Sequence, residues 1–310
     1  MGERRPFRFG VQAAGVASRD EWVARAYRAE SLGYDILLLP DHFGAQYAPF
    51  PALAVAAEAT LSLRVGTFVN AVDYHHPVVL AKEAATLDVL SGGRFELGLG
   101  AGWLKDEYDA AGLPFDAPGT RIDRLAEALA VVKGLFGPGP TNFAGQHYRV
   151  SNLVGEPRPS QEPRLPILVG GGGRRLLTLA AREADIVSIN PRARREGGLD
   201  RADIAAESVA EKAGWVREAA GLRWEDLEVN LVVVGAAVTD SPRAALGPFV
   251  ERYQLPEATL LDSPHVLIGS VEGIVERVRG MCERWGISYF TVPERHMVEL
   301  APVVARLRNE

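Results

Sequence analysis

Residues 78–103 read VVLAKEAATLDVLSGGRFELGLGAGW, and they contain one full turn of a repeating pattern. Val78–Leu90 is rich in alanine and leucine, strong helix formers, and is long enough for more than three helical turns. Ser91-Gly92-Gly93 ends it, because glycine tolerates the left-handed backbone angles found just past helix ends. Phe95–Leu99 is then a short, largely apolar run of the kind found in parallel strands covered on both faces. A second glycine turn, Gly98-Leu-Gly100-Ala-Gly102-Trp103, follows at once. Helix, turn, buried strand and turn together are the building block of an α/β fold with a parallel sheet.

The same block recurs in both directions. The other apparent strands are Phe9–Gln12, Ile36–Leu39, Arg64–Val69, Ile167–Val169, Ile186–Ile189, Leu231–Val234 and Tyr289–Val292. Ser18-Arg-Asp-Glu21 is a capping-box pattern that opens a helix at Trp22. Thr120–Asp123 is expected to open a helix running to Leu135, and Ser241-Pro242 one over Ala244–Tyr253. Arg174–Glu183, Ala202–Ala220 and Val271–Trp285 also read as helices. Eight strands alternating with helices close most simply as a (β/α)8 TIM barrel, with an open doubly wound sheet as the alternative. A barrel needs about 250 residues, so the 310 here leave room for insertions over the mouth. Gly137–Arg164 is one, with Thr141–Phe143 and His147–Val150 flanking Gly145 like a hairpin. Pro191–Asp200 with Leu255–Leu267 is the other, and the charged run Arg192–Glu196 reads as a solvated loop. No linker or repeat divides the chain, so residues 1–310 are expected to form one barrel domain.

The bulk composition narrows the function. The net charge is −6 and the pI near 5.7, which argues against a nucleic-acid or anionic-membrane surface. Cys282 has no second cysteine to pair with, no signal peptide is visible in MGERRPFRFG, and no apolar stretch has membrane-spanning length. A cytoplasmic protein is expected. Cys282 itself sits at helical core spacing and reads as packing, not as a nucleophile.

Four constellations stand at strand carboxyl ends, where barrels carry their chemistry. Pro40-Asp41-His42 ends the second strand. A histidine there suits proton transfer near neutral pH, with Asp41 setting its tautomer or binding substrate; a plain turn with a solvated histidine is the competing reading. Gly98–Trp103 admits a close ligand, or simply a tight turn with Trp103 packed beneath a loop. It lacks the spacing of a dinucleotide fingerprint. Gly170–Gly173 with Arg174 and Arg175 lies between a strand and a helix, where free amides bind anions; a permissive turn is the alternative. Gly66–Asn70 leads to His75-His76-Pro77. Adjacent histidines rarely share one metal ion and no third ligand is apparent, so no metal is expected. His76 precedes a proline suited to a helix start.

Together these segments resemble the bacterial luciferase-like monooxygenase superfamily, and within it the branch that uses the deazaflavin coenzyme F420. Leu80–Trp103, Pro166–Gly173 and Ala184–Val187 carry the likeness. The resemblance implies the barrel and a coenzyme ring in its mouth. It implies that Asp41 and His42 stand near the reactive carbon, and that Phe68-Val69 is a non-proline cis peptide behind the ring, followed by Asn70. Gly170, Gly171, Gly172, Gly173 and Arg174 match a loop that receives the coenzyme's phosphate, and Gly100, Gly102 and Glu107 border the ring. The match also implies homodimers, through helices beside strands two and three, here around Pro51–Leu61.

Two positions depart from the sugar-phosphate dehydrogenases of that branch. Trp103 stands where they carry a catalytic glutamate, and Gln46 where they carry a tryptophan. Both residues are therefore assigned to the substrate pocket, and a sugar phosphate is not the expected substrate. The expected activity is hydride transfer between F420 and a small organic molecule, with His42 moving the proton. The alternatives are a monooxygenase using reduced FMN and oxygen, fed by a separate flavin reductase, and a non-catalytic barrel that keeps the coenzyme pocket.

Overall fold

A computed structural model describes residues 5–15, 18–194 and 198–308. Eight parallel strands form the centre: β1 Arg8–Gln12, β2 Ile36–Leu39, β3 Arg64–Thr67, β4 Phe95–Gly100, β5 Ile167–Gly171, β6 Ile186–Ile189, β7 Glu228–Val232 and β8 Ile287–Pro293. Each pairs with its sequence neighbour, and β1 closes on β8 through Phe9↔Phe290. The sheet is a closed (β/α)8 barrel, as the repeating unit predicts. Around it run α1 Arg19–Ser31, α2 Pro49–Ala59, α3 Pro77–Leu90, α4 Pro118–Phe136, α5 Arg174–Glu183, α6 Ala206–Ala220, α7 Val271–Trp285 and α8 Met297–Leu307.

Alternation along the strands divides the core in two. Phe9, Leu37, Val65, Phe95, Val169, Val187 and Phe290 point outward into the main strand–helix core. Ile36, Leu38, Leu168, Ile186 and Tyr289 point inward and fill the lumen. Each aliphatic side chain so buried contributes about 1.5–3 kcal/mol. The amino ends of the strands hold charge. Arg8 bridges Glu96 and Glu228, the latter at 2.7 Å, and Arg64 Nε donates to Glu96 at 2.7 Å. Arg8 also lies over the Tyr289 ring at 4.6 Å. Burial pushes both carboxyls upward, but two guanidiniums reverse this for Glu96 and hold it below the usual range. Glu228 remains above it.

Several helix boundaries differ from expectation, each for a local reason. The capping box at Ser18 is present, with Glu21 N donating to Ser18 Oγ at 3.2 Å and Ser18 N to Glu21 Oε2 at 2.9 Å. Helix α4, however, starts at Pro118 rather than at Thr120; the proline takes the first turn and no side chain caps it. Ser241 is not a cap either. Residues 241–246 make successive i to i+3 turns, and the helix there is only Gly247–Tyr253. It belongs to an insertion, and α7 is the barrel helix of that unit. The Ala202–Ala220 helix is broken at Ala205 into a short 3-10 turn, Arg201–Ile204, and α6.

The seventh strand ends at Val232, and Gly235–Val238 instead pairs in parallel with Val266–Gly269. That small sheet covers its own apolar cluster around Ile204, Leu246 and Leu260. His265 joins it to the barrel: its Nδ1 donates to Val232 O at 2.6 Å, while Nε2 is buried without a partner among the described residues. The first insertion is a hairpin, Thr141–Ala144 with Arg149–Leu153, turning at Gly145 as expected. Glu127 accepts the amides of Gln146, His147 and Tyr148 at its turn. Arg192 is not merely solvated: its Nη2 meets buried Asp203 at 2.9 Å, and Lys212 meets the same carboxylate at 2.5 Å. Arg195 and Glu196 of that run lie outside the described residues. No helix among the described residues is long and apolar enough to cross a membrane.

Candidate active site

At the carboxyl end of β2, His42 Nδ1 lies 2.8 Å from Glu107 Oε2. Asp41 faces elsewhere: its Oδ2 is 2.8 Å from His75 Nε2 and accepts the Ala71 amide at 3.2 Å. The expected Asp41–His42 partnership is thus replaced by two crossed pairs. Adjacent residues on an extended loop point apart, so each finds its partner on another loop. With Glu107 Oε2 accepting the Nδ1 hydrogen, the free lone pair of the neutral His42 ring falls on Nε2. For His75, burial opposes the imidazolium, but the hydrogen bond and charge of Asp41 outweigh it and the pKa rises above its ordinary value. His75 is therefore a positioning partner, and His76 caps α3 by accepting the Val78 amide at 3.3 Å. Among the described residues no cluster of His, Cys, Asp and Glu is arranged to hold a metal ion.

The Phe68-Val69 peptide is cis, and the short strand Asn70–Ala71 resumes pairing with β4. The glycines opposite belong to this feature. A Cβ on Gly98 would stand 2.0 Å from the Thr67 carbonyl oxygen, and one on Gly100 2.6 Å from Val69 Cγ2. Thr67 Oγ1 accepts the Gly98 amide at 2.8 Å and donates to Gly98 O at 2.9 Å. Their space is taken by the protein's own backbone and side chain. Gly102 has φ +70°, and a Cβ there would meet Tyr108 Oη at 1.7 Å. Tyr108 donates to Asp73 at 2.9 Å, and Arg124 holds the same carboxylate at 2.6 Å. The dense glycine run is thus explained by packing on β3 and Tyr108. Trp103, just after it, sets its ring edge-on to His42 at 6.0 Å between centroids. Gln46 turns back to its own loop, donating to Pro40 O at 2.6 Å.

Asn70 is fully buried, and neither its Oδ1 nor its Nδ2 has a partner among the described residues. A buried amide left unpaired is costly, so this side chain is suited to a ligand group. In the loop after β5, Gly171 lies against Leu176 and Gly172 against the backbone of Asn190 and Arg192, whereas Gly173 opens onto free space. Gly173 is the cap residue of α5 and no side chain covers the helix amides, which suits an anion. Arg174 is exposed, 3.5 Å from Glu218 and 6.0 Å from the Trp215 ring centroid. Asn70 and Gly173 together fit a coenzyme with a polar planar ring and a phosphate.

The lumen carries one polar chain that the strand assignments did not flag. Ser188 donates to Asn230 Oδ1 at 2.7 Å, and Asn230 Nδ2 donates to Thr291 Oγ1 at 2.9 Å. Its signal lies in the sequence: Ser188, Asn230 and Thr291 stand at inward positions of their strands.

Residues 6–257 match the family described as luciferase-like monooxygenase. The F420-dependent glucose-6-phosphate dehydrogenase of Intrasporangium calvum is 35% identical over 175 residues, covering 53% of this chain and 52% of that protein. The 4-hydroxyprotoasukamycin monooxygenase of Streptomyces nodosus subsp. asukaensis is 29% identical over 294 residues, covering 83% and 75%. The chain spans about half the length of several curated relatives it matches. Among solved structures, the coenzyme F420-dependent tetrahydromethanopterin reductase of Methanopyrus kandleri superposes with a TM-score of 0.78 at 17% identity, covering 98% of this chain and 100% of that one.

Proposed function

Because the chain belongs to the luciferase-like monooxygenase family, we propose that it is an F420-dependent oxidoreductase acting on a small organic substrate. The observation that carries this is His42, whose Nδ1 is engaged by Glu107 at 2.8 Å, so that Nε2 is free for a proton at the barrel mouth. Names of the relatives at about one-third identity support the choice of coenzyme.

Asn70 would bind the coenzyme ring, and the amides at Gly173 would bind its phosphate, with Arg174 adding positive charge. When bound, the deazaflavin supplies a carbon that accepts or returns a hydride. For an alcohol substrate oxidised in this way, His42 Nε2 would accept the hydroxyl proton as the C=O bond forms. Glu107 holds the imidazole in the right tautomer and stabilises the imidazolium that results; a placed acid–base group of this kind is worth roughly 10²–10⁴-fold in rate. Titrating the protein with F420 and following its absorbance tests the reading. Tight FMN binding without F420 binding overturns it.

The runner-up is an FMN-dependent monooxygenase with a separate reductase, favoured by the alignment that spans 75% of the Streptomyces enzyme. A coenzyme-binding barrel without catalysis is the outcome if bound reduced coenzyme reacts with no acceptor. We also propose a homodimer through α2 and α3, supported by exposed Val55, Leu61, Val79 and Leu90. The lone Cys282 supports a cytoplasmic setting.

A further inference from the structure

The loops around His42 have an unusual charge and ring content. Residues 41–48, 72–76 and 101–107 contain four carboxylates, Asp41, Asp73, Asp106 and Glu107, and a single basic side chain apart from histidine, Lys105. Lys105 is exposed and already paired with Asp109. Asp41, Asp73 and Glu107 are each engaged, by His75, Arg124 and His42 respectively, and Asp106 stands exposed to solvent, where a carboxylate holds a cation only weakly. An anion entering these loops meets carboxylates and no unpaired cation.

The same loops present aromatic surface. Phe43, next to His42, is 54% exposed. Its ring rests on Tyr74 at 4.4 Å, and Tyr74 rests on Tyr108 at 5.1 Å. This stack holds the Phe43 ring in place while leaving part of it uncovered. Trp103, from the loop after β4, sets its ring edge-on to His42. An exposed, immobilised ring beside a proton-transfer group marks a binding surface for a flat apolar molecule.

We infer that the substrate is an uncharged, planar, conjugated or aromatic carbonyl compound, or the corresponding alcohol, stacked on Phe43 beside Trp103 with its oxygen toward His42. This rests on the oxidoreductase reading and specifies its substrate. It also sets this chain apart from relatives that handle a phosphorylated sugar, since a phosphate on the substrate would find no free counter-charge in these three loops.

The test is calorimetric titration of the whole protein, with and without F420, using three probes: benzylideneacetone, its 4-carboxylate, and 4-cyclohexyl-2-butanone. Benzylideneacetone is expected to bind at least tenfold more tightly than either of the others. Phe43→Ala should erase the preference for the planar probe over the cyclohexyl one, and Asp106→Lys should narrow the gap to the carboxylate. Equal or tighter binding of the carboxylate overturns the inference, as does a planar preference that survives both Phe43→Ala and Trp103→Leu. These are binding measurements, so the predicted ranking without hydride transfer to F420 supports the ligand class while overturning the oxidoreductase reading.

Discussion

His42 is bonded to Glu107, 65 positions along the chain, while its neighbour Asp41 is bonded to His75. The two pairs tie together loops that follow three successive strands.

Glu107→Gln should therefore impair catalysis without disturbing the fold. The amide can donate to Nδ1 and so favour the tautomer with hydrogen on Nε2, the wrong one for accepting a proton. Turnover is expected to fall by roughly 10²-fold or more, with F420 affinity nearly unchanged. Steady-state kinetics beside a coenzyme titration check this, and unchanged turnover removes Glu107 from the mechanism.

The His75–Asp41 pair gives a pH signature. The folded pKa of His75 lies above its ordinary value of 6.5. Its charged pairing thus stabilises the fold fully below pH 6.5 and is lost as pH rises through the elevated value. The difference in Tm between the native protein and His75→Gln should be largest in mild acid and shrink above neutrality. NMR titration of His75 in Asp41→Asn should place its pKa back toward the ordinary value.

His265 should dominate another part of the acid response. Burial lowers its pKa from 6.5 to about 4, so the unfolded chain binds the proton first. Stability is whole above pH 6.5 and falls as pH drops toward 4, by about 3 kcal/mol in all. Denaturant titrations at pH 7 and pH 4 should show that loss, and His265→Gln should flatten it.

Two glycines should behave in opposite ways. Gly98→Ala places a methyl 2.0 Å from the Thr67 carbonyl oxygen, which is fixed backbone. A loss of about 4 kcal/mol or more, or failure to fold, is expected. Gly173→Ala meets open space and should cost within about 1 kcal/mol. Chemical denaturation of the two variants decides it.

Asn70→Ala removes no bond to the described protein, so its Tm should hold or rise. Coenzyme affinity should fall about tenfold, in line with the loss of one or two hydrogen bonds to a buried partner. Unchanged F420 binding would separate Asn70 from the coenzyme.

The barrel was legible because its strands are buried on both sides and read as apolar runs between glycine turns. Helix starts at Thr120 and Ser241 were misplaced because cap residues are common in turns, and Pro118 and the 241–246 turns settled the competition locally. Helix α8 gave a weak signal, interrupted as it is by Pro302. The positions of Asp41, His42 and Asn70 at strand ends were readable from the repeat. Their partners were not: nothing along the chain tells His42 to choose Glu107 over Asp41, because that choice is made by how loops meet in space. The glycines of β4 show the converse, since their spacing suggested a ligand and their neighbours are the protein's own atoms.

The ion cluster of Arg8, Arg64, Glu96 and Glu228 seals the lower end of the lumen beneath Tyr289. With inward side chains filling the lumen above that cluster, the amino end of the barrel offers a ligand no way in. Whatever the barrel binds must approach from the carboxyl ends of the strands, the face that carries His42.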